Sequence, residues 1–158
     1  MRIFFKIFVI FIFLSCLPMS AQEHKEKIKV YSFQEVENLH KNKPKPILIY
    51  IYTDWCKFCF GMNKNTFKNK DVIKKLNSEF YFIKLNAEAK EDITFLNKTF
   101  VFKPTGTNTG LHELANELAN INNRISYPTT TILNSSFEIE LQKEGYLNSK
   151  KMISLLKR

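Results

Sequence analysis

Cys56 and Cys59 stand three positions apart in the run Trp55-Cys56-Lys57-Phe58-Cys59, a spacing suited to thiol–disulfide exchange. The nucleophile in such exchange is a thiolate, so the attacking cysteine needs surroundings that favour the ionised form. Ile47 to Tyr52 is a continuous apolar and β-branched run, the pattern of a central strand covered on both faces. It delivers Cys56 to the end of a strand and, with Lys57 to Asn63 expected to be helical, to the start of a helix. Free backbone N–H groups and the positive end of the helix dipole favour thiolate there. Such surroundings bring a cysteine pKa from about 8.5 into the range of about 3.5 to 7.5, and Lys57 adds a cation. Cys59 returns to the same helix face with its sulfur behind that of Cys56. Cys56 would attack a substrate disulfide, and Cys59 would then resolve the mixed disulfide. The cofactor is the cysteine pair itself, cycling between dithiol and disulfide.

Other uses of the same spacing fit less well. A zinc site needs two further ligands, and the candidates His24, His40 and His112 belong to no second paired motif. No metal is therefore expected. Haem attachment requires a histidine after the second cysteine, where this chain has Phe60. A structural role is disfavoured because a loop this small contributes little stability.

The start of the chain bears on compartment. Met1-Arg2 and Lys6 precede an apolar stretch from Ile7 to Leu17 and small residues at Ser20-Ala21, the pattern of an export signal. Cleavage after Ala21 is expected, so residues 1–21 form the leader and residues 22–158 one domain. An uncleaved anchor and lipid attachment at Cys16, which follows Phe13-Leu14-Ser15, are the competing readings. The expected location is the periplasm or cell envelope. The whole chain carries 24 Lys and Arg against 15 Asp and Glu, a formal charge of +9. Its lysines are scattered between apolar residues, so no nucleic-acid partner is expected.

The elements that position the pair follow from period and capping. Ile28 to Tyr31 reads as a short strand, and Ser32 with Glu35 opens a helix to about His40 as a capping box. Lys43-Pro44-Lys45-Pro46 ends it before the central strand. After the cysteine helix, a break near Asn65-Thr66-Phe67 precedes a helical piece from Asp71 to Ser78, and Tyr81 to Leu85 is a strand. Thr129 to Leu133 and Phe137 to Gln142 are strands around an Asn134-Ser135-Ser136 turn, with a terminal helix from Ser149 to Lys157. The fold class is α/β, a mixed central sheet flanked by helices. Residues 91–126 fit no simple crossover and read as an insertion. Within it Ile93-Thr94-Phe95 and Thr99 to Phe102 could pair around Leu96-Asn97-Lys98, and Leu111 to Leu118 looks helical. The insertion either packs over the sheet or shapes a partner site beside the cysteines.

These residues resemble the thioredoxin superfamily over most of the chain. Tyr52-Thr53-Asp54-Trp55-Cys56-Lys57-Phe58-Cys59 is similar to its active-site run, Lys84-Leu85-Asn86 to the end of the next strand, and Tyr127-Pro128-Thr129 to its cis-proline segment. Gly145 stands where the family has a glycine before its terminal helix. With Asn65-Thr66-Phe67 and Val72, the chain is most similar to the carboxy-terminal domain of the bacterial membrane reductant conductor and to related exported single-domain proteins. The resemblance implies a thioredoxin fold with the insertion before the cis-proline strand, and a reductase or electron carrier. Tyr127-Pro128 would be cis and face Cys56, where its backbone could pair with an extended substrate. Trp55 would pack against the active-site loop, and Phe58 would offer partners an apolar contact.

The chain departs from the family at Tyr50, six residues before Cys56, where many thioredoxins keep a buried aspartate that takes a proton from the second cysteine. Lys84 matches that aspartate's usual lysine neighbour, and Glu88 or water are candidate proton acceptors. The expected function is an exported, monomeric protein-disulfide oxidoreductase. Its partners would be disulfide- or thiol-containing exported proteins and a membrane electron donor. The competing function is a peptide-binding module or chaperone using Phe58, Tyr127 and the insertion.

Overall fold

The computed structural model describes residues 26–107 and 109–157. The expected leader (residues 1–21), Cys16 and His24 lie outside the described residues. Helix α1 (Phe33–Asn42) opens on the expected capping box, Ser32 accepting from Glu35 N while the Glu35 carboxylate accepts from Ser32 N. Strand β1 (Ile47–Tyr52) is buried along nearly its whole length. It leads through a tight turn into α2 (Lys57–Lys64), followed by a 3-10 turn at Thr66–Lys68. Helix α3 (Lys70–Glu79) is capped by Asn69, whose side chain accepts from Asp71 N and Val72 N. Strand β2 (Tyr81–Asn86) follows.

The expected insertion contains three small hairpins and one helix. These are β3 (Ile93–Phe95) with β4 (Lys98–Phe100), β5 (Phe102–Pro104) with β6 (Gly110–His112), helix α4 (Glu113–Ala119), and β7 (Asn120–Ile121) with β8 (Arg124–Ile125). Strand β9 (Thr129–Leu133), strand β10 (Ile139–Glu144) and helix α5 (Ser149–Leu155) complete the chain.

The main sheet has the order β10-β9-β1-β2. β1 and β2 are parallel, with Ile47 beside Tyr81 and Tyr52 beside Asn86. β9 runs antiparallel to β1, placing Thr129 opposite Ile51. Alternation along β1 divides the core between the two faces of the sheet. Ile47, Ile49 and Ile51 pack with Phe33 and Val36 of α1 and with Phe95, Phe100, Leu114 and Leu118 of the insertion. Leu48 and Tyr50 pack with Cys56, Cys59, Met62, Phe67, Val72, Leu76 and Met152. The cysteine helix and the insertion therefore lie on opposite faces, which favours the packing role for most of the insertion.

Several boundaries differ from expectation for identifiable reasons. Ile28 to Tyr31 is no strand; it meets β2 through a single bridge at Val30 and the bond from Tyr31 N to Phe82 O. Phe137 belongs to the turn before β10, at φ 63°, because its ring packs on His40 and Phe95. His112 caps α4 rather than lying inside it, its ring accepting from Leu114 N. Leu96 and Asn97, and again Asn122 and Asn123, have positive φ, the geometry of two-residue hairpin turns.

Candidate functional site

Cys56 is the N-cap of α2, and its sulfur accepts the backbone N–H of Cys59 at 3.1 Å. The turn that delivers it is closed by the bond from Cys56 N to Thr53 O. The two cysteines form a disulfide across a sequence separation of 3. Cys56 keeps 6% of its surface exposed and Cys59 only 1%, so solvent reaches the first sulfur's residue before the second. Lys57 beside them is exposed.

Trp55 is far from being a core residue: it is 66% exposed, and its indole N–H donates to Glu88 Oε1 at 3.0 Å. Its ring meets the edge of Tyr127 at a centroid distance of 6.0 Å. Glu88 is therefore engaged with the tryptophan rather than with Cys59. Its own N–H bonds to Asn86 Oδ1, and Asn86 Nδ2 donates to Asp54 Oδ2. A polar chain thus ties the loop before Cys56 to the end of β2. Phe58 is 67% exposed, as expected, and Phe60 is 68% exposed.

The Tyr127-Pro128 peptide is cis. Pro128 is buried immediately before β9, and the pairing of Thr129 with Ile51 puts it at the same end of the sheet as Cys56. Its carbonyl accepts from Gly145 N at 2.8 Å, where Gly145 takes φ +89°, a backbone shape that glycine adopts without steric cost. Tyr127 packs against both halves of the core. Burial, and secondarily the charge of Glu88, pushes its phenol above the ordinary value.

Behind the disulfide, Tyr50 is wholly buried and donates its hydroxyl to the Cys59 carbonyl at 2.9 Å. Burial, then neighbouring Tyr52, raises its pKa so far that the phenol stays protonated. It can donate a hydrogen bond but cannot replace an aspartate as base. Lys84 Nζ donates to Asn63 Oδ1 at 2.6 Å and lies 6.0 Å from the Tyr50 ring centre; desolvation lowers its pKa. His40 and His112 are buried apart from the cysteines, their Nε2 atoms against the carbonyls of Ser135 and Glu91.

Sequence reasoning located Cys56, Cys59, Trp55, Lys57, Phe58, Tyr127, Pro128 and Lys84; the fold gathers the first seven around one end of the sheet and the start of α2, whereas Lys84 lies in mid-strand beside Tyr50 and reaches Asn63 in the last turn of α2. It missed Asn63, Asn86 and Phe60, and it read Tyr50 only as a missing acid. Two of these carried a signal. Asn86 ends the strand-like run from Tyr81, and Asn63 lies one helical turn after Cys59.

The family model Thioredox_DsbH, described as "Protein of unknown function, DUF255", matches residues 17–124. That span contains both cysteines and ends before Tyr127-Pro128. A solved DsbH oxidoreductase has a TM-score of 0.57 to this chain at 13% identity, over 83% of each. A thioredoxin from Thermus thermophilus gives 0.58 at 16% identity, over 83% of this chain and 85% of that one. The reduced C-terminal domain of Neisseria meningitidis DsbD gives 0.53 at 17% identity, over 78% and 90%. At these identities the likeness is one of fold. A curated relative, Uncharacterized protein B0495.5 of Caenorhabditis elegans, is 33% identical over 90 residues, which is 56% of this chain and 12% of that protein. With a family match over most of its length and a cysteine pair at the helix start of a thioredoxin fold, the chain belongs to the Thioredox_DsbH family of the thioredoxin superfamily.

Proposed function

We propose that this protein is an exported thiol–disulfide oxidoreductase that reduces or exchanges disulfides of envelope proteins through Cys56 and Cys59. The observation that carries the reading is the asymmetry of the pair. The sulfur of Cys56 caps α2 and accepts an N–H, while Cys59 is shielded behind it. A thiolate at Cys56 is favoured by the helix start. It attacks a partner's disulfide, one partner sulfur leaves as a thiolate, and a mixed disulfide forms. Cys59 loses its proton and attacks Cys56 Sγ, releasing the second partner thiolate. The partner gains two electrons, and a membrane electron donor restores the dithiol.

Lys57 supports the thiolate, and exposed Trp55 and Phe58 supply apolar contact for the partner. The backbone of Tyr127, beside the cis bond to Pro128, would pair with an extended substrate segment. Export is supported by the sequence pattern of residues 1–21, and the protein is proposed to act as a monomer. The same exposed aromatic side chains favour a second reading, a peptide-binding module or chaperone.

The test is reduction of a protein disulfide by the protein with a small dithiol as electron source. Wild type should accelerate it, Cys56→Ser should abolish the effect, and Cys59→Ser should accumulate mixed disulfide. Undiminished reduction by Cys56→Ser would reject the mechanism. Protection of an aggregating client with both cysteines replaced by alanine would establish the chaperone instead.

A further inference from the structure

Tyr50 and Lys84 are direct partners in the parallel register of β1 and β2, so their side chains leave the same face of the sheet. Each reaches α2. The Tyr50 hydroxyl donates to the Cys59 carbonyl, and the Lys84 ammonium donates to Asn63 Oδ1. Cys59 and Asn63 are four residues apart, adjacent turns of one helix face. One cross-strand pair thus grips two successive turns of the helix that carries the resolving cysteine. The Tyr50 ring is itself held in place, stacked on Tyr52 at 5.6 Å and edge-on to Phe67 at 4.8 Å.

We propose that Tyr50 and Lys84 form a clamp that positions Cys59 for the second step of exchange, displacement of the captured partner from Cys56. The clamp rests on the oxidoreductase reading above. In the oxidised protein the Cys56–Cys59 bond itself fixes the two sulfurs. Once Cys56 is bonded to a partner, that restraint is gone, and α2 spans only 8 residues, too few to be stable without tertiary contacts. A carbonyl oxygen has two lone pairs, so that of Cys59 can accept the Tyr50 hydroxyl in addition to a helical N–H. Holding an attacking atom near its target raises the rate of an intramolecular step. Neither contact touches Sγ, so Tyr50 and Lys84 are positioning residues. The Cys59 proton passes to water, the thiolate attacks Cys56 Sγ, and the partner leaves as a thiolate; the protein loses two electrons and the partner gains them.

The reduced protein, mixed with the symmetric disulfide of nitrothiobenzoate, reads the two steps separately. The first coloured thiolate reports capture by Cys56, and the second reports resolution by Cys59. Tyr50→Phe should slow the second release by about 2- to 10-fold, the effect of one hydrogen bond, and leave the first unchanged. Asn63→Ala removes the other grip without disturbing the core or the Lys84 charge, and should slow the second release alone. It decides the matter if Tyr50→Phe does not fold. An unchanged second release in the folded variants, or equal slowing of both steps, overturns the clamp. Wild type that gives no second release overturns the oxidoreductase reading itself.

Discussion

Opening the Cys56–Cys59 bond alters the stability of the fold through two opposed effects. The bond closes a loop with a sequence separation of 3, for which the chain-entropy relation gives the oxidised form an advantage of at most about 2 kcal/mol. If reduction leaves Cys56 as the thiolate proposed above, its sulfur becomes a far better acceptor for the Cys59 N–H that already points at it from 3.1 Å. A hydrogen bond to a charged group contributes about 1.5–3 kcal/mol. The two effects nearly cancel, so the oxidised and reduced proteins should unfold within about 1 kcal/mol of each other at neutral pH. Because about 30 mV corresponds to about 1.4 kcal/mol for a two-electron couple, the folded pair should then have a potential within about 20 mV of the same pair in the unfolded chain. Urea titrations of the oxidised and the dithiol-reduced protein measure the first quantity, and equilibration with glutathione before and after unfolding measures the second. An oxidised form more stable by over about 3 kcal/mol exceeds what so small a loop can supply and would refute the reasoning.

The remaining predictions concern the surroundings. Glu88→Ala removes the acceptor for the indole of Trp55, the chain's single tryptophan; stability should change by less than about 1 kcal/mol while fluorescence anisotropy falls, and unchanged anisotropy would show that the bond does not hold the ring. Gly110→Ala would put a Cβ 2.1 Å from Phe102 Cζ and 2.7 Å from Lys103 O, so urea unfolding should show a loss of about 1–3 kcal/mol, with resolution by Cys59 preserved because the insertion packs on the other face. Glu35 is held below the ordinary carboxylate pKa by the Ser32 N–H and then by the Ser32 hydroxyl. A lowered folded pKa means its contribution is complete above the unfolded value of about 4.3 and is lost as pH falls through the folded one. Stability followed between pH 6 and pH 3 should therefore fall less steeply at the acid end in Glu35→Gln than in wild type.

The parts of this fold legible in sequence are those where local pattern and tertiary demand coincide. The apolar run of β1 could be satisfied only inside a sheet, and Ser32 with Glu35 announced α1 by a contact spanning three residues. The cysteine spacing marked the site because its chemistry is local. The insertion was less legible: strands of two or three residues are too short to show a period, although Asn122-Asn123 carried a turn signal. Ile28 to Tyr31 has strand-like residues, yet the segment reaches β2 at one bridge. Exposure of Trp55 and the Tyr50 hydroxyl's choice of the Cys59 carbonyl depend on contacts made after the chain has folded back on itself.

The separation of the sheet's two faces makes the chemistry and its cover independently variable. Substitutions among Phe95, Phe100, Leu114 and Leu118 can remodel the insertion's underside without altering a neighbour of the disulfide, much as a casing can be refitted around an unchanged mechanism. Tyr127 touches both compartments, so a change in the cover that shifts its ring would be felt at the indole of Trp55.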